Sequence, residues 1–141
     1  MAERSAANRA PRPTEYWRQH RAEEVRALAA GEIGPGEAYA RQLFPDSLLL
    51  RTDQVLAAFE AELDGFAGPS DGQVLGAVER VVLALNAVND EHGGGGYETD
   101  ERERLCDYVD SALIGAGVDL DALTARHGLD RWEITGRWRE W

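Results

Sequence analysis

Between Gln73 and Asp121 the apolar positions recur with a helical period. Val74, Leu75, Val78, Val81, Val82, Leu85 and Val88 repeat at steps of three, four and seven, which places them on one broad face of an α-helix. The β-branched content lowers helix propensity, but strict alternation is absent and the run is too long for an ordinary strand. This helix is expected to end between Asn89 and His92, because Gly93–Gly96 follows and four glycines have high backbone entropy and no side chain to pack. A second helix then follows with Thr99 or Asp100 as its N-cap, and Asp100 and Glu103 are spaced as a capping box. Its inward face is Leu105, Tyr108, Val109, Ala112 and Leu113, and Gly115 and Gly117 stop it.

Upstream, Thr14 is expected to cap a helix to about Ala30, with Trp17, Arg21, Val25 and Leu28 near one face and Gly31 closing it. A turn at Gly34–Gly36 leads to a short helix from Glu37 to Leu43, ended by Pro45. Leu48–Leu50 reads either as an extended segment or as the lead-in to a helix capped by Thr52 or Asp53. That helix buries Val55, Leu56, Phe59 and Leu63 and stops at Gly65. Downstream, Asp119 caps a short helix ending at His127–Gly128. Asp130 and Glu133 open a last helix bearing Trp132, Ile134, Trp138 and Trp141. The pattern predicts an all-α, single-domain irregular bundle of about five to six helices around a central helical hairpin. Residues 1–13, with three arginines, two prolines and little that is apolar, are expected to form a mobile arm before a single domain over 14–141.

Composition narrows the partners. The 141-residue chain carries a net charge of −11, and its calculated pI is about 4.6. That balance argues against nucleic acid or an anionic membrane as partner. No apolar run approaches a membrane span, and no signal-peptide core opens the chain. A single cysteine, Cys106, admits no intrachain disulfide and fits a reducing cytoplasm. All 15 basic residues are arginine, which reads as the codon bias of a high-GC bacterial genome.

The charge is not evenly spread. Residues 86–121 hold ten acids against Arg102 and Arg104, and so carry −8 of the −11. Glu98, Asp100, Glu101, Glu103, Asp107 and Asp110 are the candidate contacts of this segment. A focused negative patch beside a glycine loop suits the steering and binding of a basic protein; the plain alternative is a solvated face that keeps the chain soluble. An EF-hand register from Asp90 to Glu101 puts His92 and Gly94 where oxygen donors are needed, so no calcium loop is expected, and no other metal or cofactor. The glycine run lacks the lysine and hydroxyl of a phosphate loop and is expected to be a flexible hinge or a variable connection.

His20 and Glu24 form an i,i+4 pair, His92 is a candidate base beside Glu91 or Glu98, and His127 sits favourably in a last helical turn. Cys106, among acids, reads as a structural thiol. No nucleophile elbow or metal-protease motif is present. Trp138 and Trp141 share a face with Ile134 and are candidate interface anchors, in a partner contact or a homo-oligomer.

These features imply a small acidic cytoplasmic interaction protein that blocks a basic partner, a bacterial immunity protein or antitoxin being the most concrete form. That class is reached by analogy, and the reading is non-enzymatic. Two alternatives stand beside it. One is a helical enzyme or ligand-binding protein, marked by a pocket with one histidine and two convergent carboxylates. The other is a structural subunit joined through the tryptophan-rich C-terminus.

Overall fold

The computed structural model describes residues 10–141, apart from the side chains of residues 41 and 42. These residues fold as one all-α domain. Its elements are α1 (Pro13–Ala29), a 3-10 turn (Pro35–Glu37), α2 (Ala40–Leu43), α3 (Asp46–Asp64), α4 (Asp71–Glu91), α5 (Thr99–Gly115), α6 (Leu120–His127) and α7 (Glu133–Gly136). No helix among them is long and apolar enough to cross a membrane.

The apolar stripe of α4 is the centre of the core: Val78, Val82, Leu85 and Val88 are fully buried. Burying a side chain of this size contributes roughly 2 kcal/mol. Ser70 caps α4 through a reciprocal box, its Oγ accepting from the Gln73 N–H (3.1 Å) and its own N–H donating to Gln73 Oε1 (2.8 Å). Its Ser-x-x-Gln spacing is the local sequence signature of such a box.

The most extensive packing is between α3 and α4, whereas α5 packs chiefly on α1, α3 and α6. The central hairpin is therefore α3–α4 rather than the expected pairing of α4 with the helix after the glycines. The reason lies in α3. It starts at Asp46, a full turn and a half before Thr52, so Leu48 and Leu49 are helical and buried and extend its apolar face to match α4. Thr52 is thus no cap. It is wholly buried in mid-helix, with its hydroxyl 2.6 Å from the Tyr97 hydroxyl.

Other boundaries shift for local reasons. Residues 1–9 of the expected arm lie outside the described residues, but Arg12 and Pro13 belong to the domain: Pro13 opens α1, where its missing N–H costs nothing. Thr14 is buried and donates to Asp53 Oδ1 (2.5 Å) instead of capping. Val25, expected inward, is 58% exposed. The Glu37–Leu43 helix is split into a 3-10 turn and α2. Glu24, rather than pairing with His20, accepts from the Ala40 N–H that opens α2 (3.1 and 2.9 Å).

The last helix is also short. The helix ends at Gly136, and the tail beyond it is held by the buried Asn86, which donates to the Trp138 carbonyl (2.7 Å) and accepts from the Glu140 N–H (3.0 Å). This brings Trp141 edge-on to Tyr97, with ring centroids 5.6 Å apart.

Candidate acidic interaction site

The six candidate acids separate onto two sides of α5. Asp100, Glu103, Asp107 and Asp110 recur at steps of three and four and share one stripe. Asp100, Glu103 and Asp107 are exposed, and Asp110 is half-buried. Asp100 pairs with Arg104 one turn on (2.9 Å). Asp110 faces Arg131 at 3.6 Å, and Arg131 also holds Asp121 at 2.8 Å. Desolvation raises the Asp110 carboxyl above its ordinary range, and Arg131 opposes that rise. Glu103 and Asp107 have no ion-pair partner among the described residues, so the uncompensated charge of the stripe sits in its middle.

Glu98 and Glu101 turn the other way. The helix begins one position earlier than expected, with Glu98 as N-cap and Glu101, not Glu103, in the third helical position. Glu101 accepts from the Glu98 N–H (3.3 Å). This register follows from Tyr97, which is buried and leaves the chain entering α5 directly behind it. Glu101 is only 6% exposed, so the expectation that it contacts a partner as an open surface residue is corrected. Burial raises its carboxyl, with Asp100 and Glu98 adding to the rise, while backbone N–H groups oppose it.

Glu98 and Glu101 line a slot of about 200 Å³. Leu43, Pro45 and Leu48 form its apolar wall, and His92 and the Gly95–Gly96 backbone close it. The imidazole is oriented from both sides: Nδ1 lies 2.8 Å from the Val88 carbonyl and Nε2 2.8 Å from Ser47 Oγ. The neutral tautomer with the proton on Nδ1 satisfies both contacts, with the Ser47 hydroxyl donating. Glu91, the other acid beside His92, is taken by Arg51 (3.0 Å).

The glycine run, read as a hinge, is clasped. Asn89, 2% exposed, donates to the Gly94 carbonyl (3.1 Å) and accepts from the Tyr97 N–H (3.0 Å). Gly93 and Gly94 have φ near +78° and +79°, a region side chains disfavour. Gly96 is needed for space, since a Cβ there would meet His92 Cβ at 3.1 Å and Leu48 Cδ1 at 3.3 Å.

On the far flank, Asp107 lines a groove of about 450 Å³ between the start of α1 and α5. The Arg104 guanidinium lies 3.8 Å over the Tyr16 ring at its edge. Its floor is a polar network absent from the sequence reading. Arg12 donates to both oxygens of the buried Glu60 (2.9 and 2.7 Å), and the Tyr108 hydroxyl donates to Glu60 Oε2 (2.5 Å). This network fixes α5, and hence the stripe, against α1 and α3. A glutamate at a core position of α3 was its one sequence signal.

The tryptophan expectation is corrected in part. Trp141 is 8% exposed and packed within its own chain, so it cannot anchor a partner; Trp138 is half-buried; the exposed one is Trp132, at 67%. Cys106 is half-buried beside a cation rather than acids, its Sγ 3.0 Å from Arg139 Nη1. Arg126 and His127, in the last turn of α6, both bind Asp71 (2.8 and 3.0 Å); the Arg126 hydrogen bond first, and the His127 contact after it, lower that carboxyl to about 2. Among the described residues no group of three or more His, Cys, Asp or Glu side chains is arranged to hold a metal.

No family model, no curated protein and no solved structure matches this chain.

Proposed function

We propose that the chain is a small acidic interaction protein that binds and blocks a basic protein partner, acting as a bacterial immunity protein or antitoxin does. The observation that carries this reading is the acidity of both sides of the first turns of α5. Glu103 and Asp107 have no ion-pair partner among the described residues on the outer stripe, and Glu98 and Glu101 border a slot with an apolar wall. Such a slot suits a long cationic side chain, whose methylenes lie along Leu43, Pro45 and Leu48 while its head reaches the carboxylates. The stripe would steer the partner, and the slot would give the docked state its register.

The test is a tagged pull-down from the native host at low and high salt, followed by association kinetics with what is captured. One stoichiometric basic protein, weakened by salt, is expected. The triple variant Asp100→Asn, Glu103→Gln, Asp107→Asn should slow its association about tenfold and flatten the salt dependence. Unchanged association would refute the reading.

A second reading has one specific observation in its favour: the slot holds one histidine and two carboxylates, the arrangement expected of a ligand pocket. Both imidazole nitrogens are already engaged, by the Val88 carbonyl and the Ser47 hydroxyl, which makes His92 a poor free base. Saturable binding of a small molecule that Glu101→Gln abolishes, with no captured partner at either salt, would select this reading.

A further inference from the structure

The outward face of the α3–α4 hairpin differs from the rest of this acidic chain. A groove of about 340 Å³ runs between the two helices, with Val55, Ala58, Phe59, Val81 and Ala84 along it. Each end is closed by an ion pair across the helices. Arg51 binds Glu91 through two contacts (3.1 and 3.0 Å), and Arg80 binds Glu62 at the other end (Nε to Oε1, 2.7 Å).

The four charges form a pattern. Arg51 and Glu62 are eleven residues apart on α3, as are Arg80 and Glu91 on α4. Eleven residues are about three turns, or about 16 Å, so each helix presents one cation and one anion on the same face. Because the helices are antiparallel, the signs alternate around the four corners. Consider a second copy laid face to face on the first. With the two-fold axis along the helices, each α3 lies over the other α4, so Arg51 meets Glu91 and Glu62 meets Arg80. With the axis across the helices, each α3 lies over the other α3, so Arg51 meets Glu62 and Arg80 meets Glu91. In both arrangements every corner meets its opposite.

We infer that this face binds a second copy of the same chain, forming a two-fold dimer through the α3–α4 hairpin. The inference is independent of the acidic site on α5. Two chains of net charge −11 repel one another over most of their surface. The four corner charges sum to zero around an apolar centre and are self-complementary, which a two-fold interface requires. A basic partner would gain little from corners whose charges cancel.

The full chain should show a concentration-dependent monomer–dimer equilibrium by sedimentation velocity at up to on the order of 100 µM. Ala58→Glu puts a charge at the exposed centre of the groove, and Arg51→Glu sets like charges together in either two-fold arrangement. Each should weaken the dimer by at least about tenfold while circular dichroism and thermal melting stay those of the parent fold. A chain that remains monomeric over that range would overturn the inference. So would a dimer that both variants leave intact, or one that only Trp132→Ala dissolves.

Discussion

Replacing Glu60 by leucine isolates what the buried network contributes. The glutamate is 8% exposed at its side chain, and Arg12, its partner, 28%. Leucine fills similar space, so the change reads the orphaned partners rather than a cavity. Breaking a buried pair from one side costs about 3–5 kcal/mol. Arg12 is partly solvated and keeps Asp53 at 3.6 Å, which brings its share down to or below the lower limit of that range, about 2–3 kcal/mol. The Tyr108 hydroxyl, on a residue 4% exposed, adds about 1 kcal/mol. The sum is about 3–4 kcal/mol. With a urea slope of about 2 kcal/mol/M, the midpoint should fall by between about 1.5 and 2 M.

The companion variant removes the three polar side chains of this network together: Arg12→Leu, Glu60→Leu, Tyr108→Phe. With neither Arg12 nor the Tyr108 hydroxyl left facing a lost carboxylate, most of the loss should return, leaving it within about 1 kcal/mol of the parent. Equilibrium urea unfolding followed by far-UV circular dichroism gives both midpoints. If Glu60→Leu costs less than about 1 kcal/mol, water reaches the network and its charges are screened. If the triple variant is as unstable as the single one, shape and not unsatisfied polarity set the cost, and the reasoning fails.

Two further substitutions test the slot. Burial raises the Glu101 carboxyl above its ordinary value of 4.5, so its proton is held better in the fold than in the unfolded chain. Its favourable share of stability is therefore full below that value and lost as pH rises through the raised one. Glu101→Gln should melt above the parent at neutral pH, and the gap should close as pH falls below about 4.5; a variant that melts lower at pH 7 and stays lower at acid pH would contradict this. Asn89→Ala leaves the Tyr97 N–H and the Gly94 carbonyl without their partner and should cost about 2 kcal/mol, with faster amide exchange confined to the glycine loop. Exchange that rises across α3 as well would assign Asn89 to the core rather than to the loop.

The periodic stretches were legible because their signal is local. The stripe of α4, the stop at the glycines and the Asp119 cap follow from spacing and backbone chemistry alone. Pairing of helices was not legible, because an apolar stripe says which side is buried and not what buries it. Leu48–Leu50 hid the true start of α3, since three adjacent leucines fit a strand or a helix equally. Once α3 is one and a half turns longer, it rather than α5 matches α4. The site was half legible. Spacing placed Asp100, Glu103, Asp107 and Asp110 on one stripe, but the side that Glu98 and Glu101 take depends on where α5 begins. That start is set by Tyr97, whose burial is a tertiary fact. The same holds for the tail: Trp141 lies in the core because Asn86, far away in sequence, captures the backbone at Trp138 and Glu140.

Net charge describes this chain poorly until the arginines are placed. Arg51 and Arg80 each take one acid across the α3–α4 hairpin, and Arg126 takes Asp71 between α6 and α4. Arg104 takes Asp100, and Arg131 takes Asp110 and Asp121 at the other end of α5. Each pairing cancels a charge that the sequence counts at full value. The surplus is left where no arginine among the described residues reaches, at Glu103 and Asp107 on the stripe and at Glu98 and Glu101 by the slot. Sequence density gave all six acids equal standing, whereas pairing and burial divide them. Asp100 is paired with Arg104, Asp110 shares Arg131 with Asp121, Glu101 is desolvated, and Glu98, Glu103 and Asp107 are exposed to solvent. A partner steered by this surface should therefore depend most on Glu103 and Asp107, and its docked geometry most on Glu101. Kinetic dissection of single variants would separate these effects, since outer charges act on association and desolvated ones on dissociation.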